Sequence, residues 1–381
     1  MPKEINDSLK NLLFKVVPRL GRKLHGDFPN NVVLVHLENL GDFILFSAVI
    51  RETRRNFPSS RLVVVGQKEN SGVVKYCDLV DEWIWIKGHK RPKQGESTGR
   101  EKSYISKLLV TYFILLFKFK GKIDFLIGPD WLLTKSYNQF TSNVLFKKAN
   151  IDEGFASSKL IYNPKYYVDE AHQVTRNLSI LKMLGLKVED DRTENWVLQK
   201  SEKSRVKREA LNIIISLGAG HLRRNYPVSR IAQVIEELNS KLEKSSFTLL
   251  GPKSLKLDDL SQIFLGCPNT LNLIGQTNLQ DAASLIRGAD LVIVNDSGFA
   301  HLAASFEVPV LVVSAHPQNA EEWHLHSPNR YHPWRTSFIE IQPLYLLEPC
   351  VGSCLADIPH CIATVEVQEI VESAAMLLGK S

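Results

Sequence analysis

No apolar run in this chain approaches the ~20 residues that a membrane helix needs; the longest, Leu108 to Phe117, is about half of that and is flanked by lysines. It reads as a core helix. Residues 1–21 lack a continuous apolar stretch followed by a small-residue cleavage site, so no secretory signal is expected. Cysteine is scarce, five residues and an odd number, which points to free thiols and the cytoplasm. Neither half of the chain carries Gly-x-Gly-x-x-Gly after its first strand, and there is no Walker lysine pattern, which disfavours a dinucleotide oxidoreductase and a P-loop nucleotidase. A formal charge of +6 over 381 residues is modest, although the basic excess lies mainly in the first third, and no nucleic-acid partner is expected. With 44% apolar and 23% charged residues, disorder is excluded and the chain is long enough for two domains.

What the sequence does contain is organised around the stretch from Leu291 to Ala304, an apolar run that breaks at Asn295-Asp296-Ser297-Gly298 and resumes with helical spacing. It reads as strand, turn, helix. Asp296 or Ser297 can cap the helix, and Gly298 lets the backbone approach a ligand. The helix amino terminus would favour an anion, a phosphate for example, beyond the strand's carboxyl end. Plain capping is the alternative.

Along the chain, residues 8–24 align Leu9, Leu13, Val16, Leu20 and Leu24 on one stripe with lysines and arginines around the other side. This basic amphipathic helix either packs on the domain or meets an anionic membrane surface. Strands follow at 31–37, 62–66, 82–86 and 123–128, with a turn at Glu38 to Asp42 and a helix from Phe43 to Asn56. Residues 87–102 form a polar cationic loop, helices are expected at 104–118 and 172–184, and the polar runs at 189–194 and 200–208 read as a linker. The alternation then restarts with strands at 212–217, 247–251, 271–274, 291–294 and 308–313, and with helices at 227–242, 255–264, 278–287 and 365–378. Strands alternating with helices give an α/β chain of two doubly wound parallel-sheet units with a cleft between them. The boundaries are an amino-terminal domain at 1–190, a linker at 191–210, a second domain at 211–365 and a terminal helix at 366–381 that is expected to return to the first domain.

Four motifs carry a family resemblance: Asn39-Leu-Gly-Asp42, Gly218-Ala219-Gly220 followed by Arg224-Asn-Tyr-Pro227, Leu273-Ile-Gly-Gln-Thr-Asn-Leu279, and Asn295-Asp-Ser-Gly-Phe-Ala-His301. In order and rough spacing they resemble the bacterial heptosyltransferases of glycosyltransferase family 9. The resemblance implies a GT-B fold, two Rossmann-like domains facing a central cleft, with the acceptor on the first and the nucleotide-sugar on the second. It implies inverting transfer of a heptose from ADP-heptose as co-substrate to a lipopolysaccharide core or related glycan or glycolipid acceptor. The setting would be cytoplasmic and peripheral to an anionic inner membrane. Asp42 matches the family's general base, a role in which a carboxylate takes the acceptor hydroxyl's proton, while a helix cap is its other reading. Arg224 matches the cation beside the diphosphate, where it would neutralise the departing ADP; a solvated arginine is the alternative. Asp296 matches the residue that meets sugar hydroxyls, the amides of Ser297, Gly298 and Phe299 match the pyrophosphate cradle, and the backbone near Thr277 matches the adenine site. His301 is either a phosphate donor or a structural hydrogen-bonder. Where family members often hold the ribose with an acidic residue, this chain has Gly251-Pro-Lys-Ser-Leu255.

No cofactor and no metal are expected for transfer, since cations and helix amides can take a divalent ion's part. Near the end, Cys350, Cys354, His360 and Cys361 cluster four soft ligands. A few family members bind iron through four cysteines, but the spacing here is not the paired Cys-x2-Cys of a zinc ribbon, and reduced thiols are the expectation. The alternatives to a heptosyltransferase are a transferase of the same fold with another nucleotide-sugar, or a nucleotide-sugar binder or epimerase that transfers nothing.

Overall fold

The computed structural model describes residues 29–87, 110, 114, 117–119, 125–127, 170–183, 185–199, 209–255, 267–324 and 326–380. Its strands form two parallel sheets. The first has β1 (Asn31–His36), β2 (Arg61–Gln67), β3 (Glu82–Ile86) and β4 (Phe125–Ile127) in the order β3-β2-β1-β4. Helices α1 (Leu40–Asn56) and α2 (Gln173–Met183) pack together on it. The second has β5 (Leu211–Ser216), β6 (Ser245–Leu250), β7 (Thr270–Asn272), β8 (Leu291–Asn295), β9 (Val310–Val313) and β10 (Phe338–Ile341) in the order β10-β9-β8-β5-β6-β7. Its helices are α3 (Val228–Lys241), α4 (Leu279–Arg287), α5 (Gly298–Ser305), the short α6 (Pro328–Tyr331) and α7 (Val367–Leu377).

The strands read as apolar runs because both sheet faces are covered. In β1, Val32 and Leu34 enter one core and Val33 and Val35 the other, the period of two that a strand imposes. The core that holds Val32 and Leu34 also contains Phe43 and Phe46 of α1, Ile286 of α4, and Ala300 and Leu302 of α5. The inner helical layers of the two sheets therefore share one continuous core. On the far face of the second sheet, Ile231, Val234 and Leu238 of α3 meet Ile370 and Val371 of α7.

Two expectations need correcting. The terminal helix α7 packs on α3 and on the β8, β9 and β10 edge of the second sheet, which accounts for its buried face without a return to the first domain. The polar run at 189–194, expected as part of a linker, is a strap bound to α1; residues 200–208 of that linker lie outside the described residues. Arg51 lies buried on α1 and needs acceptors; it donates to the carbonyls of Asp190 and Arg192, each at 2.7 Å, and pairs with Glu194 at 2.9 Å. Glu194 N–H donates to Ser47 Oγ at 2.7 Å, and Asp191 receives Arg335 from the second sheet's side at 2.7 Å. Positions 110, 114, 117 and 118 of the expected helix at 104–118 are helical, as is Phe119 just after it. The expected basic helix at 8–24, most of the loop at 87–102 and most of the helix at 255–264 lie outside the described residues.

Candidate functional site

In a doubly wound sheet, ligands sit outside the carboxyl ends of strands where the winding reverses. Those points fall between β1 and β4 in the first sheet and between β5 and β8 in the second. The loops leaving β1, β5 and β8 are the three motifs at 39–42, 218–227 and 295–301.

The first of these loops is shorter than the sequence suggests. Helix α1 already begins at Leu40, its amino-terminal cap is Asn39, and Asp42 lies in the first turn, so the capping alternative for Asp42 does not hold. Neither Asn39 nor Ser297, the cap of α5, makes a side-chain capping bond. Both helix starts therefore lack a side-chain cap, and an uncapped helix start is the feature that receives anions.

The two helix starts abut. A Cβ on Gly41 would lie 2.8 Å from His301 Cδ2 and 3.0 Å from Gly298 Cα, so only glycine permits this approach. Asp42 of one domain is thereby brought to the turns after β5 and β8 of the other. Its carboxyl pKa is raised to about 6 by burial, which the nearby Arg224 and Arg330 guanidinium groups oppose and the Asp296 charge reinforces. Burial also tends to raise Asp296, but the Arg224 guanidinium outweighs it and holds the carboxyl below its ordinary value. Arg224 Nη1 donates to Asp296 Oδ2 at 3.0 Å. Burial lowers His301 to about 4, against the pull of Asp296, so its imidazole is neutral near neutral pH. Its Nδ1 is buried with no hydrogen-bond partner among the described residues.

The loop after β5 turns at Gly218, whose φ of +93° puts it in the left-handed region. Ala219 N–H donates to Asn225 Oδ1 at 2.6 Å, and Tyr226 N–H donates to Asn295 Oδ1 at 3.0 Å, tying the β5 turn to the β8 turn. Gly275 N–H donates to the Gly251 carbonyl at 2.9 Å, and a Cβ on Gly218 would strike Pro252 at 2.6 Å. The turns after β5, β6 and β7 thus stand side by side, with Gly218 to Gly220 on the first and half-buried Thr277 on the last.

One segment was missed in the sequence. Residues 326–331 enter the same site. Burial lowers His326 to about 4, with the Asp296 charge opposing and Arg224 reinforcing the shift. Arg330 is buried and donates to Gln173 Oε1 at 3.1 Å, and burial followed by the Asp42 charge raises Tyr331. Glu340 of β10 is raised to about 8 by burial and by Asp296, against a Ser314 hydrogen bond. The signal available was the density of histidine, four of eleven within 316–332, although no spacing tied it to a ligand.

Comparison with known proteins bears on the family and the fold. The family model for glycosyltransferase family 9 (heptosyltransferase) matches residues 133–334, more than half of the chain. A glycosyltransferase family 9 structure from Veillonella parvula DSM 2008 superposes with a TM-score of 0.61 at 16% identity, covering 94% of this chain and 100% of that one. E. coli ADP-heptose LPS heptosyltransferase II gives a TM-score of 0.57 at 16% identity, covering 92% and 99%. E. coli heptosyltransferase WaaC with ADP gives 0.58 at 12% identity, covering 91% and 99%. No curated protein sequence matches the chain. The two Rossmann-like sheets have the GT-B arrangement, and the chain belongs to glycosyltransferase family 9, the heptosyltransferase family.

Proposed function

We propose that this glycosyltransferase moves a heptose, or a closely related sugar, from an ADP-sugar to a lipopolysaccharide core or similar surface glycan, with inversion. The observation that carries the proposal is the meeting of Asp42 from the first sheet with Arg224 and Asp296 from the second across the Gly41 and Gly298 contact. In the proposed step, the ionised Asp42 takes the proton of the acceptor hydroxyl. The hydroxyl oxygen bonds to the anomeric carbon on the face opposite the diphosphate, and the sugar C–O bond breaks with its electron pair going to the leaving ADP. Arg224 and the first-turn amides of α5, from Ser297 to Phe299, stabilise the charge that builds there. Asp296 turns from Arg224 to the sugar hydroxyls when the donor arrives. The adenosine lies along the β5 to β7 turns toward Thr277, and the nearby His326 extends the polar wall of the donor site. This chemistry draws its positive charge from side chains and helix amides, so we infer no requirement for a divalent ion at the donor.

E. coli ADP-heptose LPS heptosyltransferase II and WaaC, whose fold this chain shares, support the choice of donor class. The acceptor would be a glycolipid or glycan presented to the first domain on the cytoplasmic side of the membrane. Among the described residues no helix is long and apolar enough to cross a bilayer. The test is release of free ADP from ADP-heptose with and without a lipopolysaccharide-core acceptor. Release that depends on the acceptor is expected; donor binding without any acceptor-dependent release would favour a nucleotide-sugar binder instead.

A further inference from the structure

Between β10 and Cys361 the chain turns little apolar material inward. Leu344, Tyr345, Leu347, Val351, Leu355 and Ile358 are all exposed. The buried cluster of this segment consists of Cys350, Cys354 and Cys361, with only Leu346 and Ala356 packed against it. Three thiols and two partly buried apolar side chains are a small core for a loop of this length. His360 joins the thiols. The ligand atoms of all four residues lie within 4.8 Å of one another.

Three of their six spacings are those of a coordination shell. Cys350 Sγ stands 3.9 Å from Cys354 Sγ, and His360 Nδ1 stands 3.5 Å from both Cys350 Sγ and Cys361 Sγ. A tetrahedral ion with metal–sulfur bonds of about 2.3 Å and a metal–nitrogen bond of about 2.0 Å has S···S edges of about 3.8 Å and S···N edges of about 3.5 Å. A disulfide would need the sulfurs at about 2.05 Å. The local backbone explains how a Cys-x3-Cys spacing reaches this geometry. Val351 and Ser353 pair as an antiparallel bridge around Gly352, whose φ is +72°, and the hairpin returns Cys354 to Cys350. Leu355 N–H donates to Cys350 Sγ at 3.3 Å, an outer hydrogen bond that spreads thiolate charge.

We propose that Cys350, Cys354, His360 and Cys361 form a closed structural site for a thiophilic divalent ion, zinc or ferrous iron. Four protein ligands leave no open position, which separates the site from the transfer chemistry, and three thiolates with one imidazole select a soft tetrahedral ion over magnesium or calcium. The ion fixes a loop that supports the donor domain. Cys361 opens the 3-10 turn that leads to Val365, whose carbonyl accepts from Tyr226 Oη at 2.8 Å and from Arg230 at 2.5 Å. Tyr226 is in turn bonded through its backbone to Asn295 beside Asp296. The proposal rests on the donor set and does not depend on the proposed function.

The test is elemental analysis of the full chain purified without chelator from cells supplied with zinc or with iron. About one equivalent of metal per chain is expected, the two supplies deciding which ion fills the site. Cys354→Ser should lose it and Cys267→Ser, a buried cysteine outside the cluster, should keep it. Because a cluster variant can fail to fold, the parent is also stripped with a chelator and titrated with cobalt(II). Tetrahedral thiolate absorption, a lowered melting temperature in the stripped protein, and its recovery with zinc are expected. Metal at background level with no tetrahedral cobalt spectrum would overturn the proposal, as would a Cys350–Cys354 disulfide in the protein as isolated.

Discussion

At the scale of single residues, Asp42 decides most. Its pKa is raised from 3.8 to about 6, first by burial, so the carboxylate form that a base needs is lost below that pH. Acceptor-dependent kcat/KM should fall as pH drops through about 6 and stay level above it, read from a pH profile at saturating donor. Stability runs the other way. A folded-state pKa above the unfolded value means a contribution that is full below pH 3.8 and lost as pH rises through about 6. Asp42→Asn should therefore melt above the parent at pH 7.5 and converge with it toward pH 4, which a thermal-shift series checks. On the donor side, Arg224→Ala should weaken ADP binding by ~10–100-fold, the loss of a charge-assisted hydrogen bond. Asp296→Ala removes a negative charge beside the phosphates while freeing Arg224. Calorimetry should find ADP binding held or improved and full donor weakened; equal losses would remove Asp296 from the sugar. The motifs that hold Asp42, Arg224 and Asp296 were legible in the sequence through their likeness to the family, and the structure brings the three side chains together. His326, Arg330 and Glu340 were not, because their place in the site comes from the field at Asp296 and Asp42 and not from any local spacing.

At the scale of elements, the packing of α1 on α5 is the contact on which the site depends. A methyl group at Gly41 would meet the His301 ring at 2.8 Å and the Gly298 backbone at 3.0 Å. Overpacking of this kind costs ~1–3 kcal/mol, so Gly41→Ala should lower the melting temperature by several degrees. Adding His301→Ala should restore only part of the loss, because the Gly298 backbone cannot move aside as a side chain can. Full recovery in the double variant would mean that the helices themselves are not in close contact. Nine of the ten described strands were legible from apolar runs, with bounds within two residues, as at Glu82–Ile86; β10 was not, because Phe338-Ile-Glu-Ile341 is an edge strand buried only at Ile341 and makes no apolar run. The start of α1 was not, because Leu40 and Gly41 look like a turn until the α5 contact explains the glycine. The strap at 189–194 reads as a linker from its polar run, and only the buried Arg51 shows why those carbonyls and carboxylates are held inward.

At the scale of the whole molecule, two Rossmann-like sheets place their winding reversals against each other and share a core through α1, α4 and α5. The alternation of strands and helices made this architecture legible, and the four motifs made the family legible. The shared core was not, because a single sequence shows which face of a helix is apolar and not which sheet covers it. In the proposed mechanism the base comes from one sheet and the departing diphosphate is held by the other. The most direct measurement is acceptor-dependent ADP release by Asp42→Asn at pH 7.5, alongside its donor affinity by calorimetry. Loss of the base should cost ~10²–10⁴-fold in turnover while donor affinity stays near the parent's. Turnover at the parental rate, in a variant that binds donor normally, would contradict the account.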